Sequence, residues 1–554
     1  MSGARAVLFF AAVLSLWNVW GYDLWAPDEP YFAEGAREML VDGHWAVPHV
    51  NGEVTTDKPP LFFWLIALLS IPFGQVSSLT ARLPSVLAGV GSVALTMRLA
   101  RRLAPAGADP AARERQAVLA GLVLATTYLF WDKSRSAQID ALLCLLVLAA
   151  LSAFAAFRSG EADGRRMGIL FWMACALAVV AKGPVGFLVP LGVALTTLAV
   201  DRDLGAWRRF APAAGPAVFL GLVGAWMALA TLGSGGEYSV WGALREHVLE
   251  RAASGMHHRQ PPWYYLAALP PDLLPWTILI PGALLLAWRR RDAADRYLLA
   301  WASFVVLFFS IPAEKRDLYV LPACPAVALL VARFLVAGLA APGGAPPPRQ
   351  RWLTLPLVVT GVALVVTGGA LAAAGQRIDE AARSPVLLLA ATLSAVGLVT
   401  AAIAARHRFL RASLTLAAGT ALLYLVAANA LFPALDSRNS GRRFALLVRE
   451  QTAASRAAGR EVLSLGVGNL TDALSFYSEG IYFRRLSGAQ ELAGVLSGAS
   501  ETWVVADAER LTSLPNGMRS NLVEIGSARL SRRRIVLVRD GGRDGGPDGP
   551  RRPQ

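Results

Sequence analysis

Charge is scarce in this sequence. Only 17% of its 554 residues are Asp, Glu, Lys or Arg, whereas 55% are hydrophobic. Soluble globular chains carry about 25% charged residues, so the polar surface here is too small to cover a water-soluble fold of this length. Cysteine is scarcer still: Cys144, Cys175 and Cys324 all lie inside apolar segments. They show no metal-ligand spacing and read as small core hydrophobes, which excludes a disulfide framework. No internal repeat of the kind that marks many transporters is visible. The first apolar run, residues 4–20, is followed by no small-residue cleavage site, so it is expected to stay as an anchor.

What the chain has in abundance is apolar length. Runs near 20 residues recur, enough to cross about 30 Å of hydrocarbon, and mean hydropathy is +0.46. Spans are expected near 4–20, 82–100, 117–131, 140–157, 167–181, 185–199, 211–231, 273–288, 297–312, 318–338, 353–373, 385–405 and 411–431. The expected class is therefore mainly α: a polytopic transmembrane bundle of about 13 spans. The net charge of +14 does not indicate nucleic acid. The arginines fall in short clusters between apolar runs, as in cytoplasmic loops facing anionic lipid.

Those clusters, at 98–115, 158–166, 202–209, 289–296, 349–351 and 406–411, also decide direction. They share one side only if the apolar run 61–73 dips into the interface and returns without crossing. The N-terminus is then cytoplasmic and the C-terminus outside. Long segments 21–80 and 232–271 lie outside, with the turns at 132–140, 182–184 and 314–317. Chemistry is expected on that face. Residues 1–432 form the membrane domain. Residues 433–540 alternate strand-like runs (EVLSLGVG, TWVVAD, RRIVLVRD) with helical stretches, suggesting a small α/β domain on the outer, periplasmic face. The tail 541–554 reads as disordered.

Four polar constellations stand out, all on the outer side. Pro27-Asp28-Glu29-Pro30, with Trp25, Tyr31 and Phe32 around it, places carboxylates beside aromatics, where reduced solvation makes a pKa tunable. Thr56-Asp57-Lys58-Pro59-Pro60 holds an ammonium on a rigid approach to the dipping helix. Ser134-Arg135 with Asp140 puts an acid at a helix start. Lys182-Gly183-Pro184, Glu314-Lys315-Arg316 with Tyr319, and His257-His258-Arg259 before Trp263-Tyr264-Tyr265 gather cations and aromatics suited to an anionic head group.

In these residues the chain resembles the bacterial aminoarabinose (lipid A) transferase and protein mannosyltransferase group, membrane glycosyltransferases of C-type architecture. The likeness is carried by Leu24-Trp25-Ala26-Pro27-Asp28-Glu29, Ala33-Glu34, Arg37-Glu38-Met39-Leu40, Gly43-His44-Trp45-Ala46-Val47-Pro48-His49 and Asp57-Lys58-Pro59. Lys182-Gly183, His258-Arg259, Trp263-Tyr264-Tyr265 and Pro275-Trp276 continue it in order. Two positions depart: the family's Asp-Glu-Thr-Arg-Tyr reads Asp28-Glu29-Pro30-Tyr31-Phe32, and Thr55 stands where an aromatic is expected.

The resemblance implies a multi-pass enzyme of the bacterial cytoplasmic membrane. Such an enzyme transfers a sugar with inversion from a polyprenyl-phosphate donor to an envelope acceptor, without nucleotide. By position, Asp28 and Asp140 match the two essential acids, with Glu29 beside the first. Lys58, Lys182 and Tyr319 match groups around the donor phosphate, supported by Arg259, Arg316 and Tyr31. No cofactor is required; where the family holds a divalent metal, the matching positions are Asp57 and His258. The rival classes are a flippase or transporter of a lipid-linked precursor, which predicts charges at mid-span and repeated halves, and a non-catalytic assembly or sensor protein that uses the soluble domain as its receptor.

Overall fold

The structure, a computed structural model, describes residues 3–56, 58–105, 107–160, 162–210, 213–234, 259–339, 351–375, 380–497, 501–530 and 533–540. They divide into two compact units. The first comprises Met1–Tyr22, His44–Pro48 and Val54–Ala434; the second Asp23–Gly43, His49–Glu53 and Leu435–Gln554.

The first unit is helical. Among the described residues nine helices are long and apolar enough to cross a membrane: Ser78–Arg102, Asp140–Arg158, Gly164–Lys182, Ala214–Gly233, Ala293–Ser310, Asp317–Leu339, Leu353–Gly375, Ala382–Ala405 and Phe409–Asn439. Gly3–Leu16 and Val185–Val200 are shorter apolar helices, and Pro110–Thr126 has 17 residues. The span expected at 273–288 is not a straight rod. It is the second limb of a pair, Tyr264–Asp272 and Thr277–Arg290, bent by 118°, with Pro270, Pro271 and Pro275 at the break. The chain is a multi-pass membrane protein.

Leu61–Ser70 is a ten-residue helix followed by the 3-10 turn Ile71–Phe73. At 1.5 Å per residue the helix reaches about 15 Å, half a bilayer core. That length is compatible with a run that dips into the interface and returns. The connectors agree. Arg158 and Arg296 both pair with Asp201, Arg296 at 2.7 Å. Arg333 binds Asp295 at 2.8 Å and Asp292, and also reaches the Leu103 carbonyl. The clusters 98–115, 158–166, 202–209 and 289–296 therefore gather at one end of the bundle, the end where Asp140–Arg158 finishes.

Two buried arginines brace the opposite end. Arg82 is fully buried, donates to the carbonyls of Val19 at 2.6 Å and Tyr22 at 3.0 Å, and lies 3.8 Å from the Tyr22 ring centre. Arg135 donates to Leu14 at 3.3 Å and Trp17 at 3.0 Å. Both serve carbonyls at or just beyond the end of helix Gly3–Leu16, which hydrocarbon would not satisfy. Buried aromatic tips follow the same rule: Tyr297 donates to Leu151 at 2.9 Å and Trp301 to Pro322 at 2.9 Å.

The second unit is an α/β layer structure. Its five-stranded sheet runs in the order Phe483–Leu486, Val462–Leu465, Trp503–Asp507, Arg533–Asp540, Leu522–Leu530. The first three strands are parallel and the last two pairings antiparallel. Alternate residues feed two cores, Trp503, Val505, Ile535 and Leu537 on one face and Val504, Ala506, Val536 and Val538 on the other. Helices Arg442–Gln451, Leu470–Tyr477 and Ala489–Leu496 cover it. Asp23–Gly43 and His49–Glu53 contribute helix Asp28–Val41 and the Asn51 side chain. That amide donates to the Phe483 carbonyl at 2.9 Å and accepts from the Phe483 amide at 2.8 Å.

Candidate functional site

Helices Asp140–Arg158 and Gly164–Lys182 are joined by a short connector, so the start of one meets the end of the other. Asp140 opens the first turn of its helix and Lys182 closes the last turn of its own. Each placement is favourable to the helix dipole. The pair forms an ion bridge with side chains only 7% and 15% exposed. Gly183 follows at φ 74°, a left-handed turn that a residue with Cβ would resist. The Lys182 ammonium also lies 5.0 Å from the centre of the Tyr319 ring, within cation–π range. Three turns, 42 and 137 residues apart in the chain by subtraction of their numbers, thus converge.

Two further loops are tied together beside Tyr319. Arg259 and Glu314 form a β-bridge, and the Gln260 amide donates to the Ala313 carbonyl at 3.0 Å. Lys315 is 3% exposed and donates to the carbonyls of Gln260, at 3.1 Å, and Pro312. The Tyr265 hydroxyl donates to the Arg316 carbonyl at 3.0 Å. Arg259 is exposed and Arg316 half-buried, so both guanidinium groups are set on a fixed frame. Lys58 is half-buried just before Pro59-Pro60 and helix Leu61–Ser70, in the same unit. Arg135, by contrast, is spent on the helix-end carbonyls.

A neighbouring group was not anticipated. Lys133 pairs with Asp132 at 2.8 Å. Burial opposes its charge, but Asp132, Asp317 and Asp140 outweigh that cost and hold its pKa above the ordinary lysine range. A compositional signal was available: the chain has only four lysines, Lys58, Lys133, Lys182 and Lys315, among 53 basic residues. All four lie in the segments expected outside.

Asp28, Glu29 and Tyr31 fall in the second unit, on the first turn of helix Asp28–Val41. Glu29 is 6% exposed and accepts from the Trp25 amide at 2.9 Å, closing the loop before its own helix. Asp28 is half-buried, and the Tyr31 ring meets Phe32 edge-on at 5.2 Å. Glu34 and Glu38, part of the motif that carries the resemblance, are fully buried. Glu34 accepts from Arg37 at 2.8 Å and from the Ser475 hydroxyl at 2.6 Å. Glu38 accepts from the Gly52 amide at 3.2 Å. Burial, then the Glu34 charge, pushes Glu38 well above the carboxylate range. Asp472 is raised to about 7, chiefly by burial and against the pull of Arg485. The metal pair Asp57 and His258 lies outside the described residues. Among the described residues no group of three His, Cys, Asp or Glu side chains is arranged to hold a metal ion.

Comparison with known proteins agrees with the sequence resemblance. Residues 2–211 match the family described as dolichyl-phosphate-mannose-protein mannosyltransferase. An undecaprenyl phosphate-alpha-4-amino-4-deoxy-L-arabinose arabinosyl transferase of Edwardsiella ictaluri is 34% identical over 317 residues, 56% of this chain and 55% of that protein. A protein of the same name from Pseudomonas aeruginosa strain LESB58 is 32% identical over 339 residues, 60% of this chain and 58% of its own length. The matched stretch spans little more than half of these relatives. The crystal structure of ArnT from Cupriavidus metallidurans bound to undecaprenyl phosphate has the same fold: TM-score 0.76, 21% identity, 98% of this chain and 99% of that one. The archaeal oligosaccharyltransferase AglB from Archaeoglobus fulgidus is similar at TM-score 0.52 and 12% identity, over 92% and 69% of the two chains. The resemblance to the aminoarabinose transferase and protein mannosyltransferase group therefore holds in sequence, and the architecture in three dimensions.

Proposed function

We propose that this chain is an inverting membrane glycosyltransferase. It moves a sugar from a polyprenyl-phosphate donor to an envelope acceptor on the periplasmic side of the bacterial inner membrane. The observation that carries the reading is the convergence of Asp140, Lys182 and Tyr319 from three separate turns into one half-buried, cation-bearing group. These charges sit at helix ends instead of mid-span, which favours transfer over transport of a lipid-linked precursor.

In the reaction the anomeric carbon–oxygen bond to phosphate breaks and a bond from that carbon to the acceptor oxygen forms. The departing phosphate gains charge, and Lys182, Lys58, Arg259, Arg316 and Tyr319 are the groups that stabilise it. Asp140 orients Lys182. The resemblance adds Asp28 as the base that takes the acceptor's proton, with Glu29 shaping its loop. The test is transfer by purified protein in nanodiscs from a polyprenyl-phosphate sugar. Asp28→Asn should lower the transfer rate by about 10²–10⁴-fold with donor affinity unchanged. Near-parental transfer removes Asp28 from the chemistry, and a parent protein that binds no polyprenyl phosphate defeats the proposal.

A further inference from the structure

At the connector end of the bundle, away from the reacting group, three helices start side by side: Gly3–Leu16, Pro110–Thr126 and Phe409–Val426. Contacts at both ends show that they run in parallel. The Ala4 amide donates to Glu114 at 3.2 Å. At the far ends the Asn18 amide group donates to the Ala428 carbonyl at 2.8 Å and the Tyr424 hydroxyl to the Thr126 carbonyl at 3.0 Å. Between the three lies a groove of about 380 Å³, lined by Ala6 and Phe10, Val118 and Leu122, and Leu414 and Ala418, a pair from each helix. Its walls are hydrocarbon. Along the first helix it extends from Gly3 to Phe10, about 10 Å at 1.5 Å per residue, and so stays within one leaflet of a core about 30 Å thick.

Two arginines stand over the mouth of this groove. Arg115 precedes Val118 by three residues and Leu122 by seven, and Arg411 precedes Leu414 by three and Ala418 by seven, by subtraction of their numbers. That spacing puts each arginine on the groove face of its helix, one turn nearer the helix start. Counted back from the Tyr424–Thr126 contact, Arg411 is thirteen residues away and Arg115 eleven, so the two stand at nearly one level. Side chains on a helix lean toward its N-terminus, which carries both charges out of the groove toward the headgroup layer. Both arginines are exposed, and neither pairs with an acid among the described residues. Their neighbours are committed: Arg101 to Glu114 at 2.9 Å and Arg113 to the Ala108 carbonyl at 3.1 Å.

An apolar slot one leaflet deep, capped by two uncommitted cations, is complementary to a chain below and a negative charge above. A neutral headgroup leaves the arginines unanswered, and so does the apolar helix of a second copy. We propose that the groove holds one membrane phospholipid with an anionic headgroup, its acyl chain against Phe10 and Leu122 and its phosphate between Arg115 and Arg411. The lipid joins the first helix of the chain to Phe409–Val426 over a stretch where the two leave space between them. The site is separate from the Asp140–Lys182 group, which lies where Asp140–Arg158 begins, at the opposite end of the bundle. It does not depend on the transferase reading.

The experiment titrates the detergent-purified full chain with phosphatidylglycerol and, separately, with phosphatidylcholine, and reads bound lipid by native mass spectrometry. The parent should hold one phosphatidylglycerol about ten- to thirtyfold more tightly than phosphatidylcholine, the worth of two arginines at a membrane surface. Arg115→Gln combined with Arg411→Gln should remove that preference. Arg5→Gln combined with Arg113→Gln removes the same charge from positions turned away from the groove, and should keep it. Ala418→Phe fills the groove and should weaken both lipids. Unchanged circular dichroism and a single elution peak show that each variant is folded; if Ala418→Phe fails that check, Ala6→Leu on the facing wall reads the same loss. A parent without the preference, equal loss in the two double variants, or a filled groove that still binds phosphatidylglycerol as the parent does overturns the site. A parent that elutes as a dimer dissociated by Ala418→Phe overturns it too, because a second copy then occupies the groove.

Discussion

Breaking the Asp140–Lys182 bridge from each side separates a phosphate site from a structural tie. Both side chains are largely buried, so deleting either leaves its partner charge poorly solvated, a loss of about 3–5 kcal/mol of stability for a fully buried pair. Stability alone therefore cannot discriminate. Ligand affinity can, because the two deletions have opposite electrostatic effects on a bound phosphate. Lys182→Ala removes a charge-assisted contact of about 1.5–3 kcal/mol, so polyprenyl-phosphate affinity should fall about ten- to a hundredfold. Asp140→Asn removes an anion that competes with phosphate for Lys182. Affinity should hold or increase, while transfer drops about a hundredfold or more because the ammonium is no longer oriented. The assay is equilibrium binding of polyprenyl phosphate to nanodisc-embedded variants, run beside single-turnover transfer. Equal weakening of binding by both variants would show that the bridge only holds the two helices together, and the placement of the donor phosphate at Lys182 would be wrong.

Two further expectations test the remaining architecture. Burial raises Glu38 above its unfolded value near 4.5, so its contribution to stability is full below about pH 4.5 and is lost as pH rises through the raised folded value. Thermal melting of the protein should therefore weaken from pH 5 to pH 8, and Glu38→Gln should flatten that slope, as calorimetry would read; an unchanged slope removes Glu38 as its source. For direction, a reporter fused at Gly107 should read cytoplasmic and one after Arg443 periplasmic, since the basic clusters share one side when Leu61–Phe73 dips and returns; the reverse at either site refutes the assignment.

The helices were legible because apolar length is a property of consecutive residues, and the bundle's limits follow it closely from 140 to 182. The break at Pro270-Pro271 was less so: the run 273–288 is apolar enough to pass for a straight span, and only packing against Tyr128–Lys133 shows where the chain turns. In the second unit the strands read from sequence, Val462–Leu465, Trp503–Asp507 and Arg533–Asp540, are the three interior strands, apolar over most of their lengths. The two that escaped notice, Phe483–Leu486 and Leu522–Leu530, are the edges. An edge strand has one neighbour and tolerates Arg484, Arg485 and Glu524, which hide its pattern. Glu34 and Ser475 are 441 residues apart, so nothing local reveals that a motif carrying the family resemblance is also an internal brace.

Lysine usage links the site to the rest of the chain. Of the 53 basic residues, 49 are arginine, by subtraction of the four lysines. Arginines do the structural work at the connector end, where a planar guanidinium can serve two acceptors at once, as Arg333 does for Asp295 and Asp292. Lysine offers a compact charge on a flexible stem, a poorer brace but a better point contact for a ligand that arrives and leaves. Lys315 is the exception, clamped between two carbonyls. Lys133 and Lys182 each face an acid, Asp132 and Asp140, which keeps an ammonium positioned in a half-buried turn while leaving room for exchange of partners. An incoming phosphate would compete with Asp140 for Lys182. One face of the bundle thus holds, at Lys182, a cation set to receive the negative charge of a lipid-linked phosphate.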